Sequence, residues 1–124
     1  MTFFPTVLAI GIGATIGASV RYYLTLLMNG IFGSAFPYGT LSANVVGSFL
    51  AGVLVGVILK AELNEVYRVL LIVGMTGSLT TMSTLSLESV EMMSHGHYGQ
   101  AGLNLLLNVF LSLSAAGFGI VLTR

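Results

Sequence analysis

The sequence predicts an all-α integral membrane protein of four transmembrane helices, with a break in the third. Three observations carry this reading. Only eight of the 124 side chains are charged, 6%, where a soluble domain carries about 25%. The mean hydropathy is +1.00, so the chain has too few polar groups to cover a water-facing surface. Four stretches reach the roughly 20 apolar residues that a bilayer crossing requires, and short connectors rich in Gly, Pro or charge separate them. Nowhere does the two-residue alternation of a membrane barrel appear.

The first span runs about 4–28 and is interrupted by Arg21. Its beginning, MTFFPTVLAIGIGATIGAS, lacks the basic leader of a signal peptide, and the apolar run continues beyond it, so the segment is expected to be retained. Arg21 lies about sixteen residues past Pro5, near 24 Å of helical rise, and so approaches the far interface. There it either snorkels and bonds loop carbonyls or serves as a vestibule for anions. Residues 29–39, NGIFGSAFPYG, punctuate rather than span. The second span is about 40–60 and ends in the charged turn AELNE (61–65). The third is about 66–93, the polar turn SHGHYGQ occupies 94–100, and the fourth span is about 101–123. Together they make one membrane domain over residues 1–124. An even number of spans puts both termini and the AELNE turn on one side, with Lys60, Arg68 and Arg124; Arg21 stands alone toward the other. That bias is weak and permits insertion both ways. Two GxxxG patterns, Gly13–Gly17 and Gly52–Gly56, allow close helix approach within a subunit or between subunits. A chain this short is expected to form an oligomer.

Polar groups in hydrocarbon are costly unless paired or wetted, so each is a functional candidate. Asn44 comes early in the second span with no charge beside it. Its amide nitrogen carries two donors, which suits a small anion; an interhelical hydrogen bond is the alternative. Thr40 shares its face at i, i+4 spacing. The third span is densest: in GSLTTMSTLSLE (77–88), seven of twelve side chains are hydroxyls or a carboxylate. Gly74 and Gly77 weaken the helix there, and a break at membrane depth leaves carbonyls that are tolerated only where they line a cavity or bind something. Such carbonyls are hard oxygen ligands suited to a desolvated cation such as Na⁺. Any one of Thr80, Ser83, Thr84 or Ser86 is explained by bonding its own i−4 carbonyl, but the cluster beside a glycine break points to a functional lining. Met82, Leu85 and Glu88 succeed one another at three-residue spacing on one face. Glu88 is expected either to carry its proton or to reach the fourth span, where Asn104, Asn108 and Ser112 form a track at i, i+4, i+8.

Several classes are excluded or disfavoured. There is no cysteine and no net charge, so disulfides and thiolate metal sites are out, and no basic patch exists to neutralise nucleic-acid phosphates. His95 and His97 sit in a loop with no third metal ligand nearby. No Ser–His pair or metal cluster falls within the spans, so an enzyme is not expected.

The stretches GIGATIGASVRYY, YGTLSANVVGSFLAG and TGSLTTMSTLSLE resemble the three signature regions of the Fluc (CrcB) fluoride channels, and the similarity covers essentially the whole chain. The signatures are a GxxGAxxR-type stretch, a GTLxxN segment and a GGLTTFSTFS segment. The resemblance implies an antiparallel, dual-topology homodimer in the bacterial cytoplasmic membrane, with two fluoride pores along the subunit interface. It implies passive, selective leak of F⁻ out of the cell, conferring fluoride resistance. It implies a central structural Na⁺ held by backbone carbonyls at positions matching Gly77 and Thr80. The fluoride pathway then matches Asn44 and Thr40, the third-span residues Thr81, Ser83 and Glu88, and Asn108 and Ser112, with Asn104 more loosely. Arg21 matches the arginine of the first signature.

The chain departs from that pattern where the family has two phenylalanines, placing Met82 and Leu85 there, and Ser78 replaces the second glycine of GGL. Phenylalanine ring edges carry partial positive charge, whereas leucine has none to offer and methionine offers a polarizable thioether. A natural variant, a deliberate substitution and one half of a heterodimer all account for this. A weakly conducting subunit and a non-conducting scaffold are the corresponding alternatives. A small dual-topology transporter is a further one, although the first span lacks the carboxylate that class requires.

Overall fold

The computed structural model describes residues 2–124. Among them, four helices are long and apolar enough to cross a membrane: α1 (Phe3–Phe32), α2 (Tyr38–Ala61), α3 (Glu65–Ser94) and α4 (Tyr98–Leu122). The chain is a multi-pass membrane protein. Its first helix runs further than the apolar pattern suggests, through Asn29 and Gly30. It stops at Gly33, whose φ of +77° suits a residue without Cβ, and whose N–H returns to the Asn29 carbonyl at 2.9 Å. Pro37 directly precedes α2, where a missing N–H costs nothing. The α2–α3 turn is short: Glu62 adopts a left-handed conformation, and the Asn64 side chain caps α3 by accepting from the Val66 N–H at 3.0 Å.

The third helix is not uniform. An α-helical turn (Glu65–Arg68) widens into a π-helical segment (Val69–Thr76) and tightens again over Gly77–Leu79. Helical backbone stops there and resumes over Met82–Ser94, leaving Thr80 and Thr81 extended.

Small residues seat the helices on one another. A Cβ on Gly13 or Gly17 would run into the carbonyl oxygens of Leu70 and Met75, and one on Gly74 would meet the backbone of α1. On the other side of the bundle, Gly52 abuts the Ala116 carbonyl, Gly119 the Phe49 carbonyl, and Gly56 the Thr123 side chain. Both GxxxG patterns are therefore used within the chain, α1 against the π-helical segment and α2 against α4.

The interior is unusual in its polarity. Seven polar residues are buried (Thr40, Asn44, Thr76, Thr81, Ser89, Asn104 and Asn108), as many as the buried apolar ones. Large apolar side chains instead point outward along all four helices, as a lipid-facing surface requires. Gly17→Val should therefore wedge α1 from α3, lowering stability by about 1–3 kcal/mol. Gly11, with nothing near it, should tolerate alanine. Thermal unfolding of the two variants in detergent checks this; equal midpoints would refute the packing account.

Candidate functional site

The interruption of α3 reorganises its hydrogen bonds. In a continuous helix the Thr81 N–H would reach the Gly77 carbonyl, and the Thr84 N–H the Thr80 carbonyl. Here the Thr81 N–H donates to Asn44 Oδ1 at 2.7 Å, and the Thr84 N–H donates to Thr81 Oγ1 at 3.2 Å. Thr81 thus caps the resumed helix, and the carbonyls of Gly77 and Thr80 lose those helical partners. The hydroxyls of Thr80 and Ser86 bond their i−4 carbonyls, as isolated hydroxyls in a helix do. Thr81, Ser83 and Thr84 behave differently, sharing a local hydroxyl cluster centred on Thr81 Oγ1.

Asn44 is the hub. Its amide donates to the Thr81 carbonyl at 3.2 Å and to Asn108 Oδ1 at 2.8 Å, so it bonds residues on both other helices. Asn108 in turn donates to the carbonyl and side-chain oxygens of Asn104 at 2.8 and 3.0 Å. Asn104 donates to Ser89 Oγ at 3.2 Å, and Ser89 donates to the Leu85 carbonyl at 2.8 Å. The track read along α4 is thus joined to α2 and α3 by one relay of amides. The relay also changes the expectation for Asn44, because both of its N–H donors are already bonded within the chain.

Three cavities share walls along this seam. The inner one, about 270 Å³, is bordered by Asn44, Thr80, Thr81, Met82, Leu85, Asn108 and Ser112. A middle one of about 290 Å³ is bordered by Arg21, Thr25, Thr40, Thr81, Thr84 and Glu88. The mouth, about 350 Å³, is walled by Thr25, Asn29, Thr40, Glu88, Glu91, His95, His97 and Gln100, among others. Thr81 belongs to the inner pair, and Thr25, Thr40 and Glu88 to the outer pair.

Two buried oxygens along the seam have no partner among the described residues, Ser112 Oγ bordering the inner cavity and Glu88 Oε2. Buried polar atoms are rarely left so. The other Glu88 oxygen accepts from the Thr40 hydroxyl at 2.6 Å. Glu88 meets α2 here, so of its two expected settings the contact with the polar track of α4 is not the one observed. Arg21 borders the middle cavity with Glu88 but forms no ion pair with it. The only pair among the described residues is the exposed Arg68–Glu65 contact.

Met82 and Leu85 border one cavity but differ in setting: Met82 is 69% exposed, and Leu85 only 3%. Ser83 is exposed and borders none of these three cavities, and Asn104 lies behind them as a buttress. The sequence reading missed Ser48, which lines the inner cavity, and Thr25, which lines the outer two. Each stands four residues from a residue already singled out, Asn44 and Arg21, and that spacing was the available signal.

Asn44→Ala should strand the Thr81 N–H and Asn108 Oδ1 in the interior, at a cost of about 1–3 kcal/mol. Ser112→Ala removes an oxygen with no partner and should leave stability nearly unchanged. Thermal midpoints in detergent compare the two, and similar losses would refute the relay as the structural hub.

The family model described as "CrcB-like protein, Camphor Resistance (CrcB)" matches residues 8–120. The chain is 45% identical over 111 residues to a protein of Vibrio parahaemolyticus, covering 89% of this chain and 87% of that one. It is 46% identical over 103 residues to one from Shewanella halifaxensis, with 83% of each covered. It is 41% identical over 121 residues to one from Nitratiruptor, covering 98% of this chain and 94% of that one. All three carry the name "Fluoride-specific ion channel FluC".

Proposed function

The chain belongs to the CrcB family, and on that premise we propose that it is a fluoride-selective channel of the bacterial cytoplasmic membrane, passing F⁻ passively out of the cell. The observation that carries the reading is a buried polar seam in a membrane-spanning chain, whose inner cavity holds a hydroxyl, Ser112 Oγ, with no partner. The names of the relatives supply the ion. No covalent chemistry is involved, and the protein is not an enzyme.

Fluoride is small and strongly hydrated, so a narrow path must replace its water step by step. Ser112 offers the first free donor. Asn44 and Asn108 hold their donors on neighbouring oxygens, and the ion engages Asn44 by displacing its longest bond, that to the Thr81 carbonyl at 3.2 Å. Thr40 and Glu88, beside Arg21, form the stretch between the inner cavity and the mouth. Thr81 and Ser83 hold the resumed helix in place. Asn104 fixes Asn108 from behind.

The subunit pairs antiparallel with a second copy, giving two pores along the interface. Support comes from Met82, largely exposed at the open side of the inner cavity, where a partner surface would complete the wall. Its polarizable thioether and the Leu85 side chain meet the ion where the family pattern has ring edges. A structural Na⁺ at the centre of the pair would take the Gly77 and Thr80 carbonyls, which the diverted amides leave without their helical partners. Its charge would favour an anion nearby.

Purified protein in liposomes should release F⁻ far faster than Cl⁻, and absence of F⁻ flux would sink the homodimeric channel in favour of a partner-subunit or scaffold reading. In the same assay Asn44→Asp should cut flux by roughly tenfold or more, because a fixed negative charge in a low-dielectric path opposes an anion. Normal conduction by that variant would remove Asn44 from the path. Met82→Phe with Leu85→Phe should preserve or raise throughput, and a loss would mean the lining is co-adapted to thioether and leucine.

Replacing Na⁺ with N-methylglucamine throughout purification should lower both flux and the thermal midpoint. Indifference of both would exclude the central cation.

A further inference from the structure

A short turn joins α3 to α4. Its sequence Ser94-His95-Gly96-His97 closes α3 in a tight cap: the Gly96 N–H donates to the Met93 carbonyl at 3.0 Å, and the His97 N–H to the Met92 carbonyl at 2.8 Å. Gly96 supplies the left-handed conformation this cap needs, with φ +78°. The cap holds the flanking histidines in fixed relation, their rings stacked with centroids 6.5 Å apart. His95 Nδ1 contacts the Glu91 carbonyl at 2.8 Å. A carbonyl can only accept, so Nδ1 carries the hydrogen and Nε2 is left free.

Both rings line the mouth cavity. The charged groups facing them are carboxylates on their own helix, Glu88 and Glu91. The other elements bring only uncharged residues: Thr25 and Asn29 from α1, Gly39 and Thr40 from α2, and Gln100 from α4. Among the described residues walling the mouth, the imidazoles are thus the side chains able to present positive charge to an approaching anion. Thr40 and Glu88 carry the wall onward to the cavity that holds Arg21.

We propose that His95 and His97 form an acid-activated capture mouth for small anions, in which protonated imidazoles offset Glu88 and Glu91 and raise the local anion concentration at the entrance. Imidazole is the side chain that changes charge between pH 5 and 8. The inference rests on the channel reading above and adds its regulation. One unit charge about 7 Å from the ion in a water-like medium changes local concentration by about two- to threefold, so the pair supplies roughly four- to tenfold.

The test is F⁻ flux from liposomes at pH 5.5 and 7.5, at subsaturating F⁻ and low salt, with leak from protein-free vesicles subtracted. The wild type should run roughly four- to tenfold faster at pH 5.5. The gain should lie in the half-saturating F⁻ concentration and not in the maximal rate, and should shrink in high salt as screening grows. H95Q/H97Q should abolish the pH ratio, and H95R/H97R should give the fast, pH-independent behaviour at pH 7.5. A flat wild-type profile, or a pH ratio that survives H95Q/H97Q, overturns the proposal while the channel reading stands. No F⁻ flux at either pH removes the channel reading, and the proposal with it.

Discussion

One hydrogen bond organises the interior: the Thr81 amide turns away from its own helix and donates to Asn44 on α2. The diversion would be costly for an ordinary helix in hydrocarbon, because every backbone group at that depth needs a partner. Asn44 supplies one, with Oδ1 taking the amide and Nδ2 bonding the Thr81 carbonyl. The extended pair Thr80–Thr81 is thereby held from the side, as a strand is held by its neighbour. Everything distinctive about the seam follows. The resumed helix starts at Met82 with Thr81 as its cap, the hydroxyl cluster gathers at that cap, and Met82 projects from the first turn at the open side of the inner cavity.

The same bond explains why polar residues fill a bundle whose outside is apolar. Helix association in a bilayer gains little from burying apolar surface, so close packing and interhelical hydrogen bonds must hold the helices. Here the two devices are separated in space. Glycines seat α1 on the π-helical segment and α2 on α4, backbone against backbone. The amide relay from Asn44 through Asn108 and Asn104 to Ser89 joins α2, α3 and α4. Neither device needs a large apolar core, and few large side chains are fully enclosed. A polar relay that holds the bundle also lines a cavity, since Asn44 and Asn108 both brace the helices and border the inner cavity.

The four helices and the polar character of the third were legible because length, hydropathy and local spacing carry them. The partners of the polar groups were not. The Asn44–Asn108 bond joins residues 64 apart in sequence, and nothing local to either asparagine says whether its donors face a carbonyl or an ion. Glu88 is similar: spacing put it on a face with Leu85, but only the fold shows that Thr40, 48 residues earlier, reaches it before α4 does. The two GxxxG patterns were ambiguous because glycine records close approach and not what approaches. Met82 and Leu85, three apart, looked equivalent. The cap at Thr81 separates them, leaving Met82 in the first turn at an open edge and Leu85 packed beneath it.

That separation bears on what the missing aromatic rings mean. A phenylalanine offers an ion a fixed, partly positive edge, whereas a methionine in an exposed first turn has three free torsions and adapts to what it meets. Leu85 is too buried to adapt and serves chiefly as wall. Among the described residues, the fully buried donor without a partner in that cavity is the Ser112 hydroxyl, and Ser48 adds a second hydroxyl to the same wall. The inner cavity thus presents a hydroxyl beside two braced amides where the family pattern has aromatic edges. On the channel reading proposed above, size discrimination would depend on how firmly the relay holds Asn44 and Asn108, and the bond between α3 and α2 that fixes how the helices stand would bear on it as well.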